Sequence, residues 1–288
     1  MADYLDTYLV DGVDLRSLAT RIEVAEDLQT APEPIGGDIV VPGMDGELMV
    51  FGGSGQPRRP DGPGRITFTM SLAGVNPATG AFAPGVDTAT KYFDQWDTLV
   101  RLFSSRTLQV AHPRPGGQPT RYATARLLER LAPSREPFSP WFGKFRAVLA
   151  IPGGHWVESS TVTTGPTSLT TGQALNLSAF SAATAPCTEL LLRFGPGSNP
   201  RLQTSYGFFQ WGGVISAGRE LLVDTATGLI SSGAGTAWTP GYGAELSYSP
   251  GPRYFEVDPS ETLSATLTHT GGGTMSVEVS GVRRYRTS

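Results

Sequence analysis

From Arg65 to Leu72 the chain alternates strictly: Ile66, Phe68, Met70 and Leu72 point one way, Arg65, Thr67, Thr69 and Ser71 the other. A period of two is the mark of a half-buried β-strand. A single segment follows the helical period instead. Counting from Ala89, apolar residues fall at Tyr92, Phe93, Trp96, Leu99, Val100 and Phe103, the i, i+3, i+4, i+7 stripe of an amphipathic helix, with Asp87 or Thr88 as its cap. Arg101 and Arg106 lie near its C-terminal end, where positive charge complements the helix dipole.

The remaining apolar runs are short and predict strands. Tyr8 to Val10 and Leu18 to Val24 flank the turn signal Asp11-Gly12. Leu108 to Ala111 precedes the turn Arg114-Pro115-Gly116-Gly117, and Phe145 to Ile151 is a further apolar strand. Arg121 to Leu131 has a composition that favours helix by propensity, but its place after a short turn makes it a returning strand. Gly36 to Gly64, rich in Pro-Gly and Asp-Gly pairs, predicts a long loop, a type of segment that is usually functional or disordered. Within it Leu48, Met49, Val50 and Phe51 form an apolar island that needs a packing partner.

After Ile151-Pro152-Gly153-Gly154 the composition shifts to Ser, Thr and Gly with sparse charge, which predicts a first domain over residues 1–155 and a second over 156–288. Eight short strands are expected in the second: Ala174 to Phe180, Thr188 to Phe194, Phe208 to Trp211, Arg219 to Asp224, Leu229 to Ser231, Tyr254 to Val257, Thr262 to Thr268 and Thr274 to Val279. The last two, alternating through Leu263, Ala265, Leu267 and Met275, Val277, Val279 around Gly271-Gly272-Gly273, read as a hairpin, with a bulge at Gly281. Many short strands and no helix predict a β-sandwich of jelly-roll type.

Composition narrows the functional classes. With 36 Gly and 23 Pro scattered without a period, the chain is turn-rich rather than collagenous. Residues 1–155 carry 15 basic and 17 acidic groups and the remainder 7 and 9, so each half is −2 and neither presents the basic footprint of a duplex-binding module. The start of the chain shows no signal-peptide pattern, and no apolar run reaches the ~18 residues of a membrane span, so synthesis and folding in a cytoplasm and no membrane insertion are expected.

Candidate chemistry is thin. His112, His155 and His269 stand singly at turns or strand ends, without ligand spacing. The one cysteine, Cys187 beside Pro186, reads as a small apolar residue. Ser54 in Gly52-Gly53-Ser54-Gly55-Gln56 lacks nucleophile-elbow spacing, and Gly195-Pro196-Gly197 has no Lys-Ser or Lys-Thr after it to make a phosphate cradle. Asp224 and Asp258, both at strand ends, are turn formers first and an acid–base or calcium pair second. Tyr206, Phe208, Phe209, Trp211 and Trp238 would make a carbohydrate platform if exposed and a core if not. No catalytic, cofactor-binding or metal residue is assigned, no cofactor is expected, and the protein is read as a non-enzyme.

The order of features resembles the distal tail proteins of phages with long, non-contractile tails. The residues that carry the resemblance run along nearly the whole chain: Val41-Pro42-Gly43-Met44-Asp45-Gly46-Glu47-Leu48; the strand Arg65 to Leu72 followed by the aromatic helix; Arg121 to Leu127; Ile151-Pro152-Gly153-Gly154-His155-Trp156; Gly218-Arg219-Glu220-Leu221-Leu222-Val223-Asp224 with Gly228; and Phe255-Glu256-Val257-Asp258-Pro259 before Arg283-Arg284-Tyr285. Met44 stands where the family often has a basic residue, and Gly153-Gly154 where an Asp-Pro junction is usual.

The resemblance implies a mainly β protein. Its first domain would be a tail-tube-like β-barrel or sandwich with one packed α-helix, its second a galectin-like, jelly-roll β-sandwich. It also implies a homo-oligomeric ring, of six copies or of three, at the distal end of the virion's tail. The ring would join the tail tube to the tip hub or baseplate and let DNA pass, with the tail tube protein, the hub protein and the tape measure protein as neighbours. Some family members carry a carbohydrate-binding insertion in the second domain, for which the close strand spacing after His155 leaves no room. Leu48, Met49, Val50 and Phe51 are the candidate inter-subunit contact. Two rival readings stand beside this one: a carbohydrate-binding minor tail protein acting as host adhesin, with Trp238 as the test residue, and an envelope hydrolase, for which no catalytic constellation is visible.

Overall fold

A computed structural model describes residues 7–19, 21–26, 39–40, 47–48, 64–74, 88–129, 131–136, 139–152, 154–205, 207–234, 237–241, 246–248 and 255–286. The fold is mainly β, with antiparallel sheets and, among the described residues, one α-helix. Its contacts divide it into two units, one of Met1–Ile35, Asp61–Ser159 and Tyr285–Ser288, the other of Gly36–Pro60 and Ser160–Arg284.

The first unit is built around two long strands. Gly64–Ala73 pairs along its whole length with Ser139–Ile151, in the register Phe68↔Ala147 and Met70↔Phe145. Ile66, Phe68, Met70 and Leu72 are all fully buried, as their alternation requires. Arg21–Glu26 pairs on the far side of Gly64–Ala73, and no further strand follows it among the described residues. On the other side of Ser139–Ile151 lie Ala132–Glu136 and the end of Arg121–Leu127. Arg121–Leu127 then pairs with Leu108–His112, which in turn pairs with Leu9–Val10. The segment after the Arg114–Gly117 turn is therefore a returning strand, despite its helical propensity. The described strands of this unit form an open sheet and not a closed barrel.

The helix Thr88–Phe103 packs on the two long strands. Tyr92, Leu99 and Phe103 are buried, Trp96 and Val100 half-buried, and Phe93 is 40% exposed, so the inward stripe is narrower than its apolar residues suggest. Trp96 and Phe103 meet Phe145 at ring-centroid distances of 5.4 and 5.8 Å, and Phe103 meets Phe68 at 6.3 Å. Each large side chain removed from water there contributes ~1.5–3 kcal/mol, and these rings hold the helix to the sheet.

The second unit is a β-sandwich. One sheet runs Ala237–Pro240, Leu229–Ala234, Glu220–Asp224, Leu190–Phe194 and Met275–Tyr285. The other runs Ala174–Asn176, Ser264–Thr270, Gly197–Gln203, Phe208–Trp211 and Leu246–Tyr248, with Val214–Ile215 on Gly197–Gln203. Leu192, Phe194, Leu221, Val223, Val277 and Val279 of the first sheet and Leu202, Phe209, Ala265 and Leu267 of the second share one core. Phe194 and Phe209 stack across it at 5.5 Å.

Two expectations at the end of the chain are corrected. Ser264–Thr270 and Met275–Tyr285 do not form a hairpin; they belong to opposite sheets. Gly271, Gly272 and Gly273, with φ of 103°, 72° and 75°, carry the chain from one sheet to the other in a conformation that side chains resist. Against Leu190–Phe194 Gly281 makes no bulge either: the pairing runs from Leu190↔Gly281 to Phe194↔Val277 without a slip. A Cβ there would lie 2.6 Å from Leu190 Cδ2 and 2.8 Å from the Glu189 carbonyl oxygen, so the glycine serves close approach of the neighbouring strand.

Candidate functional site

The residues singled out for chemistry are dispersed, and most are used by the fold itself. Cys187 is fully buried, its backbone paired with Val257, and burial pushes its thiol up to about 11, the opposite of an activated nucleophile. Asp224 accepts from the backbone N–H of Ala226 at 2.9 Å and from the Thr227 hydroxyl at 2.9 Å, closing the turn to Leu229. Asp258 accepts from the Ser260 N–H at 2.9 Å and hydroxyl at 2.6 Å. Both aspartates are turn residues. Among the described residues no group of three His, Cys, Asp or Glu is placed to hold a metal ion.

The histidines are buried separately. His112 stacks on Tyr8 at 4.4 Å in the first unit. His269 sits in the second unit, its backbone exchanging hydrogen bonds with the Thr171 hydroxyl. Of the aromatic group, Phe209 and Trp211 are core residues and Tyr206 lies outside the described residues. Phe208 is half-buried with the Arg201 guanidinium 4.1 Å from its ring, and Trp238 is half-buried with Arg193 at 5.8 Å. A continuous aromatic platform is not formed by the described members of this set.

A buried polar cluster lies in the first unit. His112, Arg121 and Glu158 sit at one level on three neighbouring strands, since His112 pairs with Arg121 and Arg121 with Glu158. Tyr285 donates its hydroxyl to Glu158 Oε1, and the Arg121 guanidinium lies 3.6 Å from the Tyr285 ring. All four are buried. Burial and the like charge of Arg114 pull the Arg121 pKa below the ordinary guanidinium value, while Tyr285 and Glu158 oppose that shift. Arginine stays charged regardless. A buried acid beside a cation and bonded to a phenol fixes the local geometry. Glu158 escapes the sequence reading because it stands alone in a Ser/Thr-rich segment. Its one signal is that it shares a strand face with Trp156, two residues back.

Of the candidate contact, Leu48 lies in the strand Glu47–Leu48, paired with Ile39–Val40, in the register Ile39↔Leu48. Met49, Val50 and Phe51 lie outside the described residues, as does Ser54.

No protein-family model and no curated protein matches the chain. Among the solved structures that align with it are two of the phage P2 baseplate in its activated conformation. The one with calcium is 8% identical, covers 95% of this chain and 98% of that one, and gives a TM-score of 0.36. The one with strontium is 9% identical, covers 96% and 98%, and gives the same TM-score of 0.36. A likeness of that degree carries no argument about function.

Proposed function

We propose that this protein is a structural subunit of a phage tail tip, of the distal tail protein class. It closes a ring, of six copies or three, between the tail tube and the tip hub. The reading rests on the order of sequence segments that resemble that class, and one structural observation supports it. The aromatic helix seats on a β-sheet unit, and a two-sheet sandwich follows in the same chain, the sequence of parts that the resemblance implies.

In this role the protein works by shape and interface, not by bond chemistry. A ring needs a repeated contact between unlike surfaces of neighbouring copies. Arg21–Glu26 offers one half, since its outer edge has no partner strand among the described residues. The apolar island Leu48 to Phe51 supplies a further contact. An overall charge of −4 suits a channel that passes DNA without holding it, because non-specific DNA affinity depends on cationic contacts. Deleting residues 48–51 should leave a folded protein, with unchanged circular dichroism, that no longer closes rings in negative-stain images. Intact rings would remove the island from the interface.

A further inference from the structure

The second unit carries an open groove of about 360 Å³ that none of the foregoing uses. It is lined by Gln203, Thr204, Ser205, Thr262, Ser264 and Thr266. The chemistry of its lining is narrow: five hydroxyls and one amide, with no charged and no wholly apolar side chain. The lining itself holds no charged side chain, with the Arg201 guanidinium bonded to Gln203 beside it, and it offers a lipid or aromatic ligand no apolar wall. It suits a neutral ligand whose own groups both donate and accept hydrogen bonds.

Two of the lining groups make hydrogen bonds within the unit. Gln203 and Thr266 are cross-strand partners, as are Gln203 and Phe208. The Arg201 guanidinium rests 4.1 Å from the Phe208 ring and donates through Nη2 to Gln203 Oε1 at 3.0 Å. The Gln203 amide also carries two N–H donors. Thr204 donates its own hydroxyl hydrogen to the Gly207 carbonyl at 3.3 Å, leaving that oxygen as an acceptor. Gln203 and Thr204 thus bring a donor and an acceptor to adjacent positions of the lining.

We infer that this groove binds a neutral saccharide unit of one or two rings through its hydroxyls. The site is distinct from Trp238, which lies on the other sheet of the sandwich, and the inference does not rest on the tail-tip reading.

The test is saturation-transfer NMR on the full chain with a panel of neutral sugars: glucose, galactose, rhamnose, N-acetylglucosamine and maltose. At least one should receive saturation from the protein, with a Kd on the order of millimolar, because a shallow groove offers only a few hydrogen bonds. Gln203→Ala and Thr266→Ala, both on exposed positions, should each weaken that binding about three- to tenfold, and Trp238→Ala should leave it unchanged. Silence across the panel overturns the inference. So does binding that survives both groove substitutions or is lost in Trp238→Ala. Ring formation is read separately, so absent rings with sugar binding intact would count against the tail-tip reading alone.

Discussion

At the scale of single residues, the side chains most suggestive of chemistry are spent on structure. Cys187 is the clearest case. With its thiol raised to about 11 by burial, the thiolate fraction at pH 8 is about one in a thousand. Native protein should therefore resist a thiol reagent at pH 8 and react at once in denaturant; rapid labelling of the folded chain would contradict its burial. The sign for stability follows from the same shift. The unfolded thiol loses its proton near the ordinary value of 9.0 while the folded one keeps it. The contribution is complete below pH 9 and is lost as pH rises toward 11. What the sequence could not reveal at this scale is Glu158. Its importance comes from Arg121 and Tyr285, one 37 and the other 127 residues away in the chain, and no local pattern encodes such a meeting.

At the scale of elements, legibility follows how cleanly one face is buried. Gly64–Ala73 is readable because Ile66, Phe68, Met70 and Leu72 are fully buried and Arg65, Thr67, Thr69 and Ser71 between them are polar. The helix was readable from its period. Its packing implies a sharp contrast between two phenylalanines ten residues apart. Phe103→Ala, which empties a buried site against Phe68 and Phe145, should cost ~3–5 kcal/mol. Phe93→Ala, at 40% exposure, should cost under ~1 kcal/mol. Chemical denaturation of the two variants checks this, and equal losses would contradict the orientation of the helix. Trp156–Leu169 was not readable. Of its 14 residues, most between Ser159 and Ser168 are exposed Ser, Thr, Gly or Pro, so no alternation marks it. Gly197–Gln203 was hidden by Gly197, Asn199 and Pro200, residues that local propensity assigns to turns. The terminal pair was misread as a hairpin because alternation reports which face is buried and not which strand lies alongside. Both strands alternate, each toward the same core from opposite sheets.

At the scale of the whole molecule, the sequence indicated a mainly β chain with a helix in its first half and a sandwich in its second, and the structure has both. No helix among the described residues is long and apolar enough to cross a membrane. What a monomer can show is the raw material of assembly: an edge at Arg21–Glu26 with no partner strand among the described residues, and sheets that satisfy their own cores. Whether copies of that edge meet is a property of many chains, and the central claim is tested there. The most direct measurement is the mass of the purified protein by light scattering on a sizing column, with negative-stain images of the peak. The account predicts a closed ring with a central channel, at six or three times the 30.5 kDa chain mass. A compact monomer at every concentration, unchanged when tail tube protein is added, would contradict it.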